Sequence, residues 1–100
     1  APNDFNATDA LGLVFLKKKE MAKAEAQFKK ALAIKPDDIL VHYHLGQVYA
    51  ATGRLEEAMA GFNTALKKAE EAKAAGVKIP DMGPVRQALD DLSRAAGTAR

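Results

Sequence analysis

The sequence repeats itself with a period of 34 residues. When residues 5–38 are aligned with residues 39–72, eight of the 34 positions are identical, whereas an alanine-rich composition gives only about two or three identities by chance. The identical pairs are Leu11 with Leu45, Gly12 with Gly46, Val14 with Val48, Ala24 with Ala58, Ala26 with Ala60, Phe28 with Phe62, Ala31 with Ala65 and Leu32 with Leu66. A period of this length indicates a stack of similar supersecondary units, none of which can bury its apolar face alone.

Within each unit the apolar residues recur at spacings of three and four, which predicts two amphipathic helices per unit. A further apolar series with helical spacing predicts a fifth helix after the second unit, and its members are Met82, Val85, Leu89, Leu92 and Ala96. The five predicted helices span approximately residues 5–18, 21–34, 39–52, 55–75 and 81–96.

Proline, aspartate and glycine residues mark the ends of these helices. Pro36 disfavours helix in the residue before it, and Asp37 and Asp38 can accept hydrogen bonds from the free N–H groups of the next helix. Gly53 and Gly76 are predicted to end helices because glycine adopts the left-handed conformation without steric cost. The second unit lacks the proline, so its second helix is predicted to continue to about residue 75.

The composition narrows the class of protein. Of the 100 residues, 21 are alanine and none is cysteine, which favours closely packed helices and excludes a disulfide scaffold and a thiolate metal site. The formal net charge of +2 is too small to indicate binding to nucleic acid or to an anionic membrane. No apolar run approaches the roughly 20 residues that a membrane span requires. We therefore expect one all-α domain over residues 1–100.

The arrangement of small and large residues resembles that of the tetratricopeptide repeat family, whose unit is a 34-residue helix–turn–helix. The matching residues are Leu11, Gly12, Phe15, Ala24, Phe28, Ala31 and Pro36 in the first unit, and Leu45, Gly46, Tyr49, Gly53, Ala58, Phe62 and Ala65 in the second. The sequence departs from the family's pattern at Thr8 and His42, at Lys19 in place of the turn glycine, and at Glu70 in place of the terminal proline.

The resemblance covers residues 5–72 and implies an all-α superhelix, which is a right-handed solenoid of helix–turn–helix repeats. Repeat 1 is then expected at 5–38, repeat 2 at 39–72 and a capping helix at 81–96, because the end of a stack needs a polar outer side. The N-terminal end shows no equivalent cap. Two alternatives follow: further repeats precede it in a longer parent, or its exposed side pairs with another copy to form a homodimer.

The chain begins with Ala1-Pro2-Asn3 rather than with methionine. We therefore expect it to be a processed or excised piece, in which a targeting signal cannot be judged. The localisation of the protein is consequently unknown from its sequence.

Residue pairs that suggest catalysis or metal binding have simpler explanations. His42 and His44 lie two positions apart, so on a helix they point about 200° from each other and cannot share a metal ion. Adjacent carboxylates diverge by about 100° or lie at a helix cap, and the one serine, Ser93, has no histidine near it in the sequence. We expect no enzyme activity, no metal and no cofactor.

The basic clusters Lys17-Lys18-Lys19 and Lys29-Lys30 are interpreted as solvated faces. They lack interleaved aromatic residues, a glycine-rich phosphate loop and a recognition-helix motif, and acidic residues balance their charge. Neither a nucleic-acid partner nor direct membrane insertion is expected.

The first helix of each unit carries apolar and polar residues on the side away from its own partner helix. In the second unit Leu45, Gly46 and Tyr49 define the packed face, and a rotation of about 100° per residue identifies the residues opposite to them. The predicted partner-binding residues are Asn6, Asp9, Leu13 and Leu16 in the first unit, Leu40, Tyr43, Gln47 and Ala50 in the second, and Arg86 at the edge. Contact with a neighbouring repeat is the alternative explanation for any one of them.

In proteins similar to this one, the same face lines a concave groove that holds an extended peptide or a helix, so the resemblance implies a protein-interaction module or scaffold. Family members that clamp a terminal carboxylate use Lys and Asn here, whereas this sequence has Asp9, Leu13, Tyr43, His44 and Gln47. A carboxylate clamp is therefore not expected. We expect an apolar or amphipathic protein or peptide partner of unknown identity, with structural self-association or a place at the end of a longer repeat array as the alternative.

Overall fold

The computed structural model describes residues 4–98, and within this range the chain forms five helices and no strand. The helices are α1 (Phe5–Lys17), α2 (Met21–Ile34), α3 (Ile39–Ala51), α4 (Leu55–Ala74) and α5 (Gly83–Thr98). The predicted all-α class and the five predicted helices are confirmed, with α5 shifted two residues towards the C-terminus. The division into two repeats and a cap within one domain over 1–100 stays a prediction. The N-terminal residues 1–3 that suggested a processed chain lie outside the described residues.

The helices form two hairpins, α1–α2 and α3–α4, and an aspartate side chain caps the N-terminus of the first helix of each. The Ala7 N–H donates to Asp4 Oδ1 over 3.2 Å at the start of α1, and the Val41 N–H donates to Asp38 Oδ1 over 3.0 Å at the start of α3. Each bond satisfies one of the N–H groups that a helix leaves free at its first turn. The predicted capping role of Asp38 is therefore confirmed.

Left-handed residues make the turns that follow three of the helices. Gly53 after α3 has a φ of 79° and Gly76 after α4 has a φ of 82°, as their residue type predicts. Lys19, which replaces the family's turn glycine, adopts the same conformation with a φ of 62°. The departure at Lys19 therefore changes the strain of the turn without changing its path.

In each hairpin a glycine of the first helix faces a phenylalanine of the second helix. A Cβ atom at Gly12 of α1 would lie 2.6 Å from the ring of Phe28 on α2, and one at Gly46 of α3 would lie 2.6 Å from the ring of Phe62 on α4. The alanines predicted to form notches for neighbouring helices are all fully buried, and they are Ala24, Ala31, Ala58 and Ala65. Small residues therefore fix the short distance between the helices of each hairpin.

The hairpins stack so that α2 packs against α3, α4 packs against α5, and α1 touches α3. Met82 and Val85 of the α5 region are buried, which makes them part of the same core as the two hairpins. The contact between α1 and α3 places the first helices of the two hairpins side by side.

An ion-pair cluster ties α2 to the turn between α3 and α4. The Arg54 guanidinium donates two hydrogen bonds to the Glu25 carboxylate, and Lys29 Nζ lies 2.8 Å from the same carboxylate. The Arg54 guanidinium also lies over the ring of Tyr49, 4.6 Å from its centroid. These interactions join the two hairpins near the start of α2 and the end of α3, which are the helix ends away from the α2–α3 loop.

Candidate functional site

Eight of the nine predicted binding residues lie on α1 and α3, the two helices that the fold brings side by side. On each helix the four residues recur at spacings of three and four, so they form one stripe. We call the two adjacent stripes the groove, and its members are Asn6, Asp9, Leu13, Leu16, Leu40, Tyr43, Gln47 and Ala50. Asn6 and Leu40 are exposed, Leu40 to 44%, and the other six are half-buried.

Tyr43 is held in place at the centre of the α3 stripe. Its ring lies against the ring of Phe62 with centroids 5.8 Å apart, and against the ring of His44 with centroids 5.7 Å apart. The Gln47 side-chain amide donates to the Tyr43 hydroxyl over 3.2 Å, one turn further along the helix. The rotamer of Tyr43 is therefore restrained by contacts within the chain itself.

His44 joins α3 to α1 beside these residues. Its Nδ1 lies 3.8 Å from Asp9 Oδ1, and its ring packs against Phe28 with centroids 5.5 Å apart. His44 is not among the predicted binding residues, because its position in the sequence two residues after His42 suggests only a metal pair, which helix geometry excludes. The 34-residue alignment contains a signal for this residue. It pairs the large His44 of the second unit with the small Ala10 at the equivalent position of the first unit.

Burial controls the electrostatics of this contact. Burial lowers the pKa of His44, although the nearby carboxylates of Asp9 and Asp38 oppose that shift. Burial likewise raises the pKa of Asp9, and His44 opposes that shift. Both shifts have desolvation as their largest cause, because a charged form is stabilised less inside the protein than in water.

The ninth predicted residue, Arg86, lies exposed on α5. Helix α5 packs on α4, and its buried residue Val85 and half-buried residue Leu89 define the packed side. At about 100° per residue Arg86 lies on the flank of that side, about 100° from Val85. Arg86 is therefore not brought to the centre of the groove, and its role in binding stays a prediction.

The two histidines take separate roles in the structure. His42 Nε2 lies 2.8 Å from the Pro36 carbonyl in the loop before α3, whereas His44 faces α1. Across residues 4–98 no group of three or more histidine or acidic side chains is arranged to hold a metal ion. Among the helices of the same range, none combines the length and the apolar character needed to cross a membrane.

A second apolar surface lies on α1, outside the groove. Leu11 is 42% exposed although its counterpart Leu45 is 7% exposed, and Val14 is 46% exposed although its counterpart Val48 is fully buried. The difference arises because α2 packs against α3, and within residues 4–98 no helix takes the equivalent place against α1. We call Leu11 and Val14 the open face of α1.

A family model for the tetratricopeptide repeat matches residues 15–78. The chain belongs to the tetratricopeptide repeat family. The match covers α2, α3 and α4 completely, together with the end of α1. Repeats of this family mediate protein–protein interaction and are non-catalytic modules, and their typical partners are proteins. A comparison with curated proteins found no match for the chain.

Proposed function

We propose that this tetratricopeptide repeat chain binds an extended peptide or an amphipathic helix of a partner protein in the groove of α1 and α3. The observation that carries the proposal is the pair of adjacent stripes, in which the leucines and a restrained tyrosine remain at least partly accessible, although Leu13, Leu16 and Tyr43 also pack against the core. Leu40 alone is 44% exposed, and Leu13, Leu16 and Tyr43 are half-buried.

The chemistry of the groove favours a ligand with an apolar side. Removing apolar surface from water contributes roughly 25 cal/mol per Å², so several partly exposed leucines and a tyrosine together can hold a short segment. Gln47 and the Tyr43 hydroxyl, which already bond to each other, add polar groups that can orient the ligand at the edge. A partner helix or strand that places apolar residues along one side matches this pattern.

The proposal is tested by selecting ligands from a random peptide display library on the wild-type chain. The selected peptides are then titrated against Leu40→Asp, which places a charge in the groove at a position exposed enough to tolerate it. The matched control is Leu55→Asp, because Leu55 is also an exposed leucine but lies at the start of α4, outside the groove. Circular dichroism verifies that both variants remain helical.

We expect Leu40→Asp to weaken binding about tenfold or more, since a buried charge without a partner costs more than 1.4 kcal/mol. Leu55→Asp is expected to bind like the wild type. Equal affinity for the wild type and Leu40→Asp contradicts the proposal, and so does a library that yields no binder.

The open face of α1 favours a second candidate function, which is self-association. Leu11 and Val14 are exposed on α1, whereas the equivalent residues of α3 are buried between the two hairpins. A second copy that covers Leu11 and Val14 would remove the same kind of apolar surface from water. Such a homodimer is an alternative to the groove as the working surface of the chain.

Light scattering of the wild type over a range of concentrations tests this second candidate. Self-association predicts a mass that rises towards twice the monomer mass, and Leu11→Glu is expected to abolish the rise. The control Leu55→Glu changes an exposed leucine elsewhere and should leave it intact. A wild-type chain that remains a monomer at high concentration rules out the homodimer.

A further inference from the structure

One polar contact in the groove is incomplete. Asp9 Oδ1 and His44 Nδ1 are both buried, and neither has a hydrogen-bond partner among the described residues. The 3.8 Å between them exceeds the length of a hydrogen bond. A buried polar atom without a partner costs free energy, and the cost is greater for a charged group. One oxygen of the Asp9 carboxylate, Oδ1, therefore has no hydrogen-bond partner among the described residues.

We propose that Asp9 anchors a basic side chain, Arg or Lys, of the peptide or helix that binds in the groove. This inference rests on the proposed function and adds the chemistry of the ligand to it. Among the groove residues on α1 and α3, Asp9 is the one that carries a charge, so a cation is the complementary group. The Asp9 side chain is 24% exposed, and because Oδ1 is buried this exposure belongs to the other atoms of the side chain.

His44 does not supply this cation at neutral pH. Its ring is packed between the rings of Phe28 and Tyr43, and burial lowers its pKa, which favours the uncharged imidazole. The protein thus brings an uncharged ring close to an ionised carboxylate and leaves the charge of Asp9 uncompensated.

The surroundings of Asp9 make it selective. On its own helix Leu13 lies one turn away. On α3 the residue that Asp9 approaches is His44, which follows Tyr43 in the sequence. A ligand that covers these apolar groups also removes water from the carboxylate. A ligand without a donor at that point leaves the carboxylate desolvated and unpaired, whereas Arg or Lys forms a charge-assisted hydrogen bond.

Protonation of His44 competes with the basic ligand. The charged groups that face His44 are Asp9 from α1 and Asp38 from the N-terminal cap of α3, and α2 contributes only the uncharged ring of Phe28. When His44 gains a proton, it repels the ligand cation and attracts Asp9. Binding of a basic ligand should therefore weaken as the pH falls through the pKa of His44, which lies below the usual value for histidine. Protonation of Asp9, whose pKa is raised by burial, acts in the same direction because it removes the charge that the ligand pairs with.

The experiment uses peptides selected from the random display library at neutral pH. The basic residue that we expect at one fixed position of the selected peptides is replaced by citrulline, which keeps the shape of arginine and removes its charge. Both peptides are titrated against the wild type, Asp9→Asn, Leu40→Asp and the control Glu70→Gln, which removes an exposed carboxylate of α4. The titrations are repeated from about pH 8 to about pH 5, where histidine gains its proton.

We expect citrulline to weaken binding to the wild type and to Glu70→Gln about tenfold or more, and to make no difference with Asp9→Asn. The basic peptide should weaken as the pH falls on the wild type and on Glu70→Gln, whereas the citrulline peptide should not. If the selected peptides need Leu40 but show no basic residue, or bind Asp9→Asn as tightly as the wild type, this inference is wrong and the groove stands. If they bind Leu40→Asp as tightly as the wild type, or if none is selected, the proposed function fails instead.

Discussion

Gly12 and Gly46 set the distance between the helices of each hairpin, because the space of a Cβ atom is already occupied by a phenylalanine ring. Gly46→Ala should therefore lower the free energy of unfolding by about 1–3 kcal/mol, since the ring of Phe62 or the backbone must move. Urea denaturation followed by circular dichroism measures the change.

Gly97→Ala is the matched control for this substitution. Gly97 also lies in a helix, but a Cβ atom there meets no other group within 4 Å. Alanine should leave the stability unchanged or raise it by up to about 1 kcal/mol through its helix propensity. Equal unfolding midpoints for the wild type and Gly46→Ala would show that the hairpin spacing does not depend on glycine.

Lys19 and Gly53 occupy the same turn in the two hairpins and share a left-handed backbone. A lysine has a Cβ atom that is strained in this conformation, whereas a glycine is not. Lys19→Gly is expected to raise the free energy of unfolding by roughly 0.5–1 kcal/mol, and the reciprocal Gly53→Lys should lower it by a similar amount. Thermal and urea unfolding of both variants test the pair, and changes of the same sign contradict the assignment of strain to Lys19.

The cluster of Glu25, Lys29 and Arg54 connects helix α2 to the α3–α4 turn. From its charges we predict how the free energy of unfolding changes in acid. The hydrogen bonds from Arg54 and Lys29 lower the pKa of Glu25 from its usual 4.5 to about 2. A carboxyl group whose pKa is lower in the folded chain contributes stability above its unfolded pKa, and the contribution is lost as the pH falls through its folded pKa. The stability that this cluster adds is therefore expected to disappear between about pH 4.5 and about pH 2.

Glu25→Gln should reduce the free energy of unfolding at neutral pH by about 1–2 kcal/mol and flatten its dependence on pH in this interval. Urea midpoints measured at a series of pH values give both quantities. Glu70→Gln serves as the control, because Glu70 is an exposed carboxylate on α4. A Glu25→Gln variant with the same acid dependence as the wild type refutes the role given to this cluster.

Most of the helices could be predicted from the sequence because the causes of their ends are local. Pro36 ends α2, Asp38 caps α3, and Gly53 and Gly76 provide left-handed turns, all through groups a few residues apart. The notches at the buried alanines followed from the 34-residue period, which aligns equivalent positions of the two hairpins. These features depend on spacing along the chain, which the sequence contains directly.

The contacts of the candidate site could be predicted only in part. The periodicity assigned Asp9 and Tyr43 to the two stripes of the groove, but the contact of Asp9 with His44 depends on how α1 lies against α3. The pairing of Glu25 with Arg54 likewise joins residues 29 positions apart through side-chain rotamers. The positions 34 residues after Asp9 and Glu25 hold Tyr43 and Met59, which cannot form the same ion pairs. The repeat therefore provides no second copy of either pairing from which it could be predicted.

Over residues 4–98 the chain is a short stack of helices with one shared core, and α1 contributes to two accessible surfaces of different kinds. The groove runs along α1 and α3 and combines leucines, a restrained tyrosine and the carboxylate of Asp9, whereas the open face of α1 is a simple aliphatic patch. The first suits a ligand of defined chemistry, and the second suits the packing of another helix. The two surfaces lie on different sides of α1, so one experiment can distinguish them.

That experiment is amide chemical-shift mapping of the isotope-labelled chain during titration with a peptide selected from the display library. We predict that the largest shifts occur in α1 and α3 around Asp9, Leu13, Tyr43 and Gln47, with small shifts at the exposed Ala60 of α4. Shifts that concentrate instead on the outer surfaces of α2 and α4, or around Leu11 and Val14 without the groove, would contradict the claim that the groove of α1 and α3 is the binding site.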